Sequence, residues 1–224
     1  MVSSWDKTGQ CIRRMEGKIT YLNGVPYYNA GTPRRVIGRD SLVDGGIYLG
    51  AGERESIVVD SGRESGKLLE VYRKILNAST LGGRVNNGLI LDAAYSVIDE
   101  SFPLKGEEYV DQILRKYDID PNNPKDAKID LDIFVNEGVG SCRHLSLVNT
   151  FALQQAKKDG HIKGQARINR NQTPLGGHAW TRYTNRDGDV FISDIALGLG
   201  VRSLREAQES GKWDYAKPED SIAA

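Results

Sequence analysis

The sequence lacks the features that mark secreted, membrane-spanning and nucleic-acid-binding proteins. No apolar run reaches the roughly 18 residues that a membrane helix needs, and residues 1–14 contain no hydrophobic signal segment. The 30 basic and 30 acidic side chains cancel without a long block of either sign. We therefore expect a soluble, cytoplasmic protein with no membrane or nucleic-acid partner, whose oligomeric state the sequence leaves open.

Cysteine is also scarce, since Cys11 and Cys142 are the only two in 224 residues. A single disulfide would be unusual in a chain of this length without an export signal, so we expect two free thiols. Cys11 lies in a polar N-terminal stretch that suggests no role for it. The surroundings of Cys142 are more informative.

The pattern of hydrophobic residues predicts an α+β protein in two parts. Residues 1–62 are rich in strand signals, including a hairpin at Asn23-Gly24, and we interpret them as a β-rich extension. Residues 63–224 form the predicted core, in which helical periodicity precedes three strands at 165–169, 178–184 and 190–195. The last 15 or so residues are polar, and we expect them to be loosely held.

Cys142 begins the most clearly predicted helix, with Ser141 as its N-cap and Gly160 as its end. A thiol in the first helical turn lies near unpaired backbone N–H groups and the positive end of the helix dipole, which favour the thiolate. Gly138 and Gly140 would let a substrate approach closely. The alternative is a small buried hydrophobic residue at the start of a core helix.

His178 is the predicted base for this thiol. It begins a strand after Gly176-Gly177, and strand alternation places it on the same face as Trp180 and Arg182. A core histidine would leave the two glycines and the aromatic neighbour without an explanation. We therefore favour a functional role for His178.

Asp194 is the predicted partner of His178, and the hairpin register decides whether the two can meet. A two-residue turn at Asp187-Gly188 would point Asp194 away from His178. A three-residue loop, 186–188, with Gly188 in a left-handed conformation would make them diagonal neighbours on one face. The catalytic hypothesis requires the three-residue loop.

Three short motifs in this order resemble the transglutaminase-like branch of the papain-like thiol enzymes. They are Gly140-Ser141-Cys142 at a helix start, His178-Ala179-Trp180 on a strand and Asp194 on the next strand. The resemblance covers residues 85–200 and includes the segment 163–167 before the histidine. Many members have Pro or Thr after the aspartate, where this chain has Ile195.

The resemblance implies a papain- or transglutaminase-like core and a catalytic triad of Cys142, His178 and Asp194. It implies transfer of an acyl group from an amide or isopeptide bond of a protein or peptide substrate through a thioester, without a metal or organic cofactor. It also suggests Asn136, six residues before the cysteine, as a second oxyanion donor. We expect Trp180 to line the substrate site beside His178.

Other interpretations are a metal site, a phosphate loop and a binding module. Zinc held by Cys142, His144, His161 and His178 is disfavoured, because positions two apart on a helix point in different directions. Residues 62–67 resemble a phosphate loop but have one residue too few between the glycines and no Ser or Thr after Lys67. A non-catalytic protein-binding module of the same fold is the main alternative.

Overall fold

The computed structural model describes residues 4–124 and 127–222; for residues 221 and 222 it describes the backbone only. Helices and strands are mixed along the chain, and the fold is α+β, as predicted. The helices are α1 (Lys7–Arg14), α2 (Lys67–Ala78), α3 (Ile90–Ser101), α4 (Glu107–Lys116), α5 (Leu131–Glu137), α6 (Cys142–Lys158) and α7 (Leu204–Glu209), with 3-10 turns at Asn87–Leu89 and Pro218–Ile222. The strands are β1 (Ile19–Leu22), β2 (Val25–Tyr28), β3 (Arg34–Val36), β4 (Gly46–Tyr48), β5 (Ser56–Val58), β6 (Thr80–Leu81), β7 (Arg84–Val85), β8 (Leu104–Lys105), β9 (Lys128–Asp130), β10 (Val139–Gly140), β11 (Gln165–Thr173), β12 (Gly176–Thr184), β13 (Val190–Asp194) and β14 (Gly200–Ser203).

Helix α6 packs on an antiparallel sheet in the order β11-β12-β13-β14. Ser146 donates a hydrogen bond to the carbonyl of Ala179 at 2.9 Å, and the hydroxyls of Thr150 and Thr181 lie 3.1 Å apart. These polar contacts join the helix to β12 within a largely apolar interface. The predicted helix and the three predicted strands are confirmed, with longer β11 and β12 than expected.

The opposite face of this sheet is covered by the C-terminal segment. Tyr215 is fully buried, and its ring meets that of Trp180 edge to face at 5.3 Å between centroids. Arg182 makes a two-pronged ion pair with Asp220 at 2.6 and 2.8 Å. The expectation of a loosely held C-terminal segment was wrong for the residues described, because aromatic and Arg-carboxylate contacts hold it to the sheet.

The β12–β13 connection is the three-residue loop that the catalytic hypothesis requires. The N–H of Asn185 donates to the carbonyl of Asp189 at 2.9 Å, and Gly188 has a φ of 94°. Thr184 pairs with Val190 and Thr181 with Ser193. The same register continued by one residue sets Asp194 opposite Trp180, diagonal to His178, so the predicted register is confirmed.

The N-terminal part forms a mixed six-stranded sheet in the order β1-β2-β3-β4-β5-β9. Asn23 and Gly24 have φ values of 51° and 77°, which suit a two-residue hairpin, so this predicted turn is confirmed. Strand β9 comes from the predicted core and pairs in parallel with β5. One hydrophobic core contains residues from both sides of position 62, so the two predicted parts share their interior.

The segment that resembles a phosphate loop has its backbone donors occupied. The Asp132 carboxylate accepts hydrogen bonds from the N–H groups of Lys67 at 3.1 Å and Leu68 at 3.2 Å. It also accepts one from the Ser65 hydroxyl. A carboxylate of the protein therefore takes the place that a phosphate would need at the start of α2.

A buried ion pair ties α6 to the N-terminal part. Arg143, directly after Cys142, lies 2.7 Å from Glu55, and both side chains are nearly or completely excluded from solvent. Burial would raise the pKa of Glu55, but the Arg143 charge and the adjacent His144 hold it far below the usual range. The pair fixes the first turn of α6 against the residue preceding β5.

No helix in the described part of the chain has both the length and the hydrophobicity to cross a membrane.

We predict that Glu55→Gln destabilises the protein by about 3 kcal/mol, because it removes the fully buried partner of the Arg143 charge and leaves only the partly exposed Glu107. The free energy of unfolding in urea measures this change. Glu16→Gln, at an exposed position, is the matched control and should change the value by less than about 0.5 kcal/mol. Equal effects of the two substitutions would contradict the structural role given to Glu55.

Candidate active site

Cys142, His178 and Asp194 meet in the folded chain. Cys142 is the first residue of α6, His178 lies near the start of β12, and Asp194 ends β13. Nε2 of His178 lies 2.6 Å from Oδ2 of Asp194. The half-buried Cys142 lines the same cleft as His178, and its thiol contributes to raising the pKa of the imidazole. The three predicted catalytic side chains therefore form a continuous chain of contacts.

The charge of His178 is set by these two neighbours. Burial lowers its pKa, but hydrogen bonds to Asp194 and Cys142 and their negative charges outweigh burial and raise the pKa to about 9. The imidazole is consequently protonated at neutral pH. An imidazolium in contact with a thiol favours the thiolate, which is the reactive form of cysteine.

Asp194 is held by donors on both of its oxygens. It is 1% exposed, and Oδ1 accepts a hydrogen bond from the N–H of Leu197 at 3.1 Å. Oδ2 accepts from the Tyr215 hydroxyl at 2.8 Å in addition to its contact with His178. Burial and the Asp194 charge raise the pKa of Tyr215 far above its usual range, so its hydroxyl remains a donor.

The start of α6 is shaped to present Cys142. Nδ1 of His144 accepts a hydrogen bond from the N–H of Ser141 at 3.2 Å, which closes the turn before the helix. Ser141 is the N-cap, as predicted. The N–H groups of Cys142 and Arg143 have no acceptor in the described part of the chain, which leaves them free to face an oxyanion.

His144 has a structural role in this turn. It is completely buried, its Nε2 lies 3.2 Å from Glu55, and its ring packs on Phe134. Burial lowers its pKa, so the ring is neutral at pH 7. Among the residues described, no group of three His, Cys, Asp or Glu side chains converges on a metal position.

A cleft of about 310 Å³ opens at Cys142 and His178. Helix α1 contributes Lys7 and Cys11 to it, and the segment around β4 contributes Tyr48 and Leu49. The role of the N-terminal part, which the sequence left open, is thus to form one wall of the cleft. Both cysteines are free, and Cys11 is buried in this wall.

Asn136 does not belong to this cleft, so its predicted role as an oxyanion donor is wrong. Its exposed side chain lies near the end of α5 and borders a separate depression beside Arg63 and Ser65. Gly138, with a φ of 63°, ends that helix, and β10 then turns the chain before Cys142. This change of direction places position 136 away from the thiol, although only six residues separate them.

Trp180 shares a face with His178, as predicted, but does not line the cleft. Its side chain is completely buried, and Trp5 packs edge to face on it at 5.4 Å between centroids. Its ring stacks near that of His178 at 5.9 Å. Trp180 therefore supports the histidine from behind, and the prediction that it contacts substrate was wrong because the C-terminal segment covers this face.

Gly140 was predicted to let a substrate approach closely. Its missing side chain instead leaves room for neighbouring side chains of the protein. A Cβ at Gly140 would lie 3.0 Å from Cδ1 of Phe102 and 3.1 Å from Cβ of His144. The left-handed Gly138 similarly adjoins Pro103. These glycines permit close packing before α6, whereas Gly177 does line the cleft.

Sequence reasoning missed Tyr215, Lys7 and Arg170. Tyr215 follows Asp194 by 21 residues in a polar segment, and no local pattern connects the two. Lys7 lies in a helix that was not predicted, because Cys11 and Ile12 are its only apolar residues. Arg170 is a buried residue of β11 that lines the cleft, and its strand was predicted to end before it.

No protein family model, curated protein or solved structure matches the chain.

We predict that Tyr215→Phe slows the alkylation of Cys142 at pH 7 by about fivefold. Loss of a hydrogen bond worth about 1 kcal/mol would free the Asp194 carboxylate to rotate away from His178. The rate is measured with iodoacetamide and peptide mass spectrometry.

Tyr183→Phe is the matched control, because its buried hydroxyl accepts from Gly164 at 3.1 Å on the same sheet without touching Asp194. It should lower stability without slowing alkylation. An equal slowing in both variants would show that Tyr215 acts only through general stability.

Proposed function

We propose that this protein is a thiol-dependent acyl-transfer enzyme with a papain- or transglutaminase-like core. Its substrates would be amide or isopeptide bonds of proteins or peptides. The observation that carries the proposal is a helix-start thiol beside an imidazole whose Nε2 lies 2.6 Å from a buried carboxylate. Those are the parts of an activated nucleophile, its base and the group that orients the base.

In the first step, the Cys142 thiolate attacks the substrate carbonyl carbon. A carbon–sulfur bond forms, and the carbonyl π electrons move to the oxygen, which the first-turn N–H groups of α6 would stabilise. Collapse of this intermediate breaks the carbon–nitrogen bond. The departing amine takes the proton from His178, leaving a thioester on Cys142.

In the second step, His178 acts as a base. Water or an amine attacks the thioester carbonyl and gives its proton to the imidazole, and the carbon–sulfur bond breaks. The products are a carboxylic acid or a new amide, together with the regenerated Cys142 thiolate and protonated His178. Asp194 holds the ring in the orientation that both steps need and stabilises its positive form.

The arrangement of the core supports the resemblance drawn from the sequence. The cysteine begins a buried helix that packs on an antiparallel sheet, and the histidine and aspartate lie on adjacent strands of that sheet. A binding module of the same fold has no need for a buried carboxylate and tyrosine behind a histidine. That group of contacts favours the enzyme.

We predict that iodoacetamide alkylates Cys142 at pH 7 at least about tenfold faster than it alkylates a free peptide thiol. His178→Ala should abolish this excess, because it removes the imidazolium. A second readout is the transfer of one acetyl group from p-nitrophenyl acetate to Cys142, located by peptide mass spectrometry.

Cys11→Ala controls for the second thiol and should leave both readouts in place. Equal alkylation rates for the native protein, His178→Ala and the free peptide would contradict the enzyme proposal. They would favour a binding module instead. Rapid alkylation without acetyl transfer would indicate a reactive thiol that does not perform acyl chemistry.

A further inference from the structure

Two cations in the cleft have no acidic partner in the part of the chain that is described. Nζ of Lys7 donates to the amide oxygen of Gln172 at 2.9 Å. Arg170 donates through Nε to Thr8 and through Nη1 to the carbonyl of Leu49, both at 3.1 Å. All of these acceptors are neutral, so no acidic side chain among the described residues balances the two positive charges.

The Arg170 side chain is buried and held in place by its contacts, unlike a mobile side chain on the surface. It is 8% exposed, and its guanidinium lies over the ring of Tyr48, with 4.2 Å from Cζ to the ring centroid. Its Nη2 is buried and has no hydrogen-bond partner among the described residues. Since a buried cation is unfavourable without a counter-charge, the cleft favours an anion beside it.

The acids that border the cleft are already paired. Glu107 lies 2.5 Å from Arg143 and 3.5 Å from Arg54, and Glu53 pairs with Arg14. The Asp194 charge is matched by the His178 imidazolium. Thioester formation removes the negative charge of the Cys142 thiolate and the positive charge of His178 together, so it leaves the charges of Lys7 and Arg170 in place.

We propose that the substrate carries a carboxylate near the carbonyl that Cys142 attacks, and that Lys7 and Arg170 attract it. This inference rests on the proposed acyl-transfer function. A sphere of the cleft's volume is about 8 Å across, a little more than two residues of extended chain. The carboxylate therefore lies within a residue or two of the bond that is cleaved, as a chain terminus or as an acidic side chain.

A pair of small alkylating agents tests this charge preference. Iodoacetate and iodoacetamide both transfer their carbon to the Cys142 sulfur with loss of iodide, and only iodoacetate carries a carboxylate. The measured quantity is the ratio of their rates on Cys142. Because His178 contributes to this ratio in every variant, the effect of Lys7 is read from substitutions of Lys7 alone.

We expect Lys7→Gln to lower the iodoacetate-to-iodoacetamide ratio by about twofold to fivefold, and Lys7→Glu to lower it further. Added salt should reduce the difference between the native protein and Lys7→Gln. Lys74→Gln, at an exposed position on α2, is the matched control and should leave the ratio unchanged. Arg170→Gln should act in the same direction if the variant folds, but the test does not depend on it.

A ratio that is the same in the native protein and both Lys7 variants would overturn the carboxylate proposal. If iodoacetamide still reacts rapidly in that case, the acyl-transfer function survives and only the substrate class is wrong. Slow iodoacetamide alkylation of the native protein would instead count against the function itself.

Two pairs of model esters then identify the source of the carboxylate. One pair compares glutamyl with glutaminyl acyl groups, and the other compares leaving groups with a free terminal carboxylate and with a terminal amide. The pair whose acid form is preferred, with a preference lost in Lys7→Gln, gives the source. A lack of preference in both pairs would overturn the proposal.

Discussion

The hydrogen bond between His178 and Asp194 determines the chemistry of the cleft. A carboxylate that is almost completely buried keeps its charge only where donors surround it, and Asp194 has Tyr215, Leu197 and His178. That contact raises the pKa of the His178 imidazole, which lines the cleft together with Cys142. The surroundings of the sulfur thus depend on contacts that lie behind the histidine.

Both ends of the chain contribute to the surroundings of Cys142, His178 and Asp194. Helix α1 and the segment around β4 form one wall, while the buried Arg143–Glu55 pair fixes the first turn of α6 against the same N-terminal part. The C-terminal segment covers the back of the sheet and brings Tyr215 to Asp194. Segments from both ends of the chain therefore support α6 and the β11-β12-β13-β14 sheet.

Local patterns in the sequence predicted a large part of this arrangement. The apolar residues after Cys142 marked α6, and the left-handed position of Gly188 decided the register that brings Asp194 beside His178. Strand alternation also placed Trp180 on the face of His178. Each of these features depends on residues close together in the chain, although two loop lengths were possible before Asp194 and only the catalytic hypothesis selected the three-residue form.

The predictions that failed concerned contacts between distant segments. The family resemblance suggested Asn136 as an oxyanion donor near the thiol, but the turn at Gly138 and the β8–β10 pair direct it elsewhere. Alternation showed which face Trp180 occupies, yet not that the C-terminal segment buries that face. The positions of Lys7 and Tyr215 result from packing over 100 residues or more and over about 20 residues, respectively, and no local pattern encodes either.

The protonation of His178 tests the central claim most directly. Imidazole nitrogen chemical shifts distinguish the charged from the neutral ring, and His144→Gln and His161→Gln variants would assign the signals of the three histidines. The account predicts that His178 is protonated at pH 7 and titrates near pH 9. A His178 ring that is neutral at pH 7, or that titrates near the ordinary value of 6.5, would contradict it.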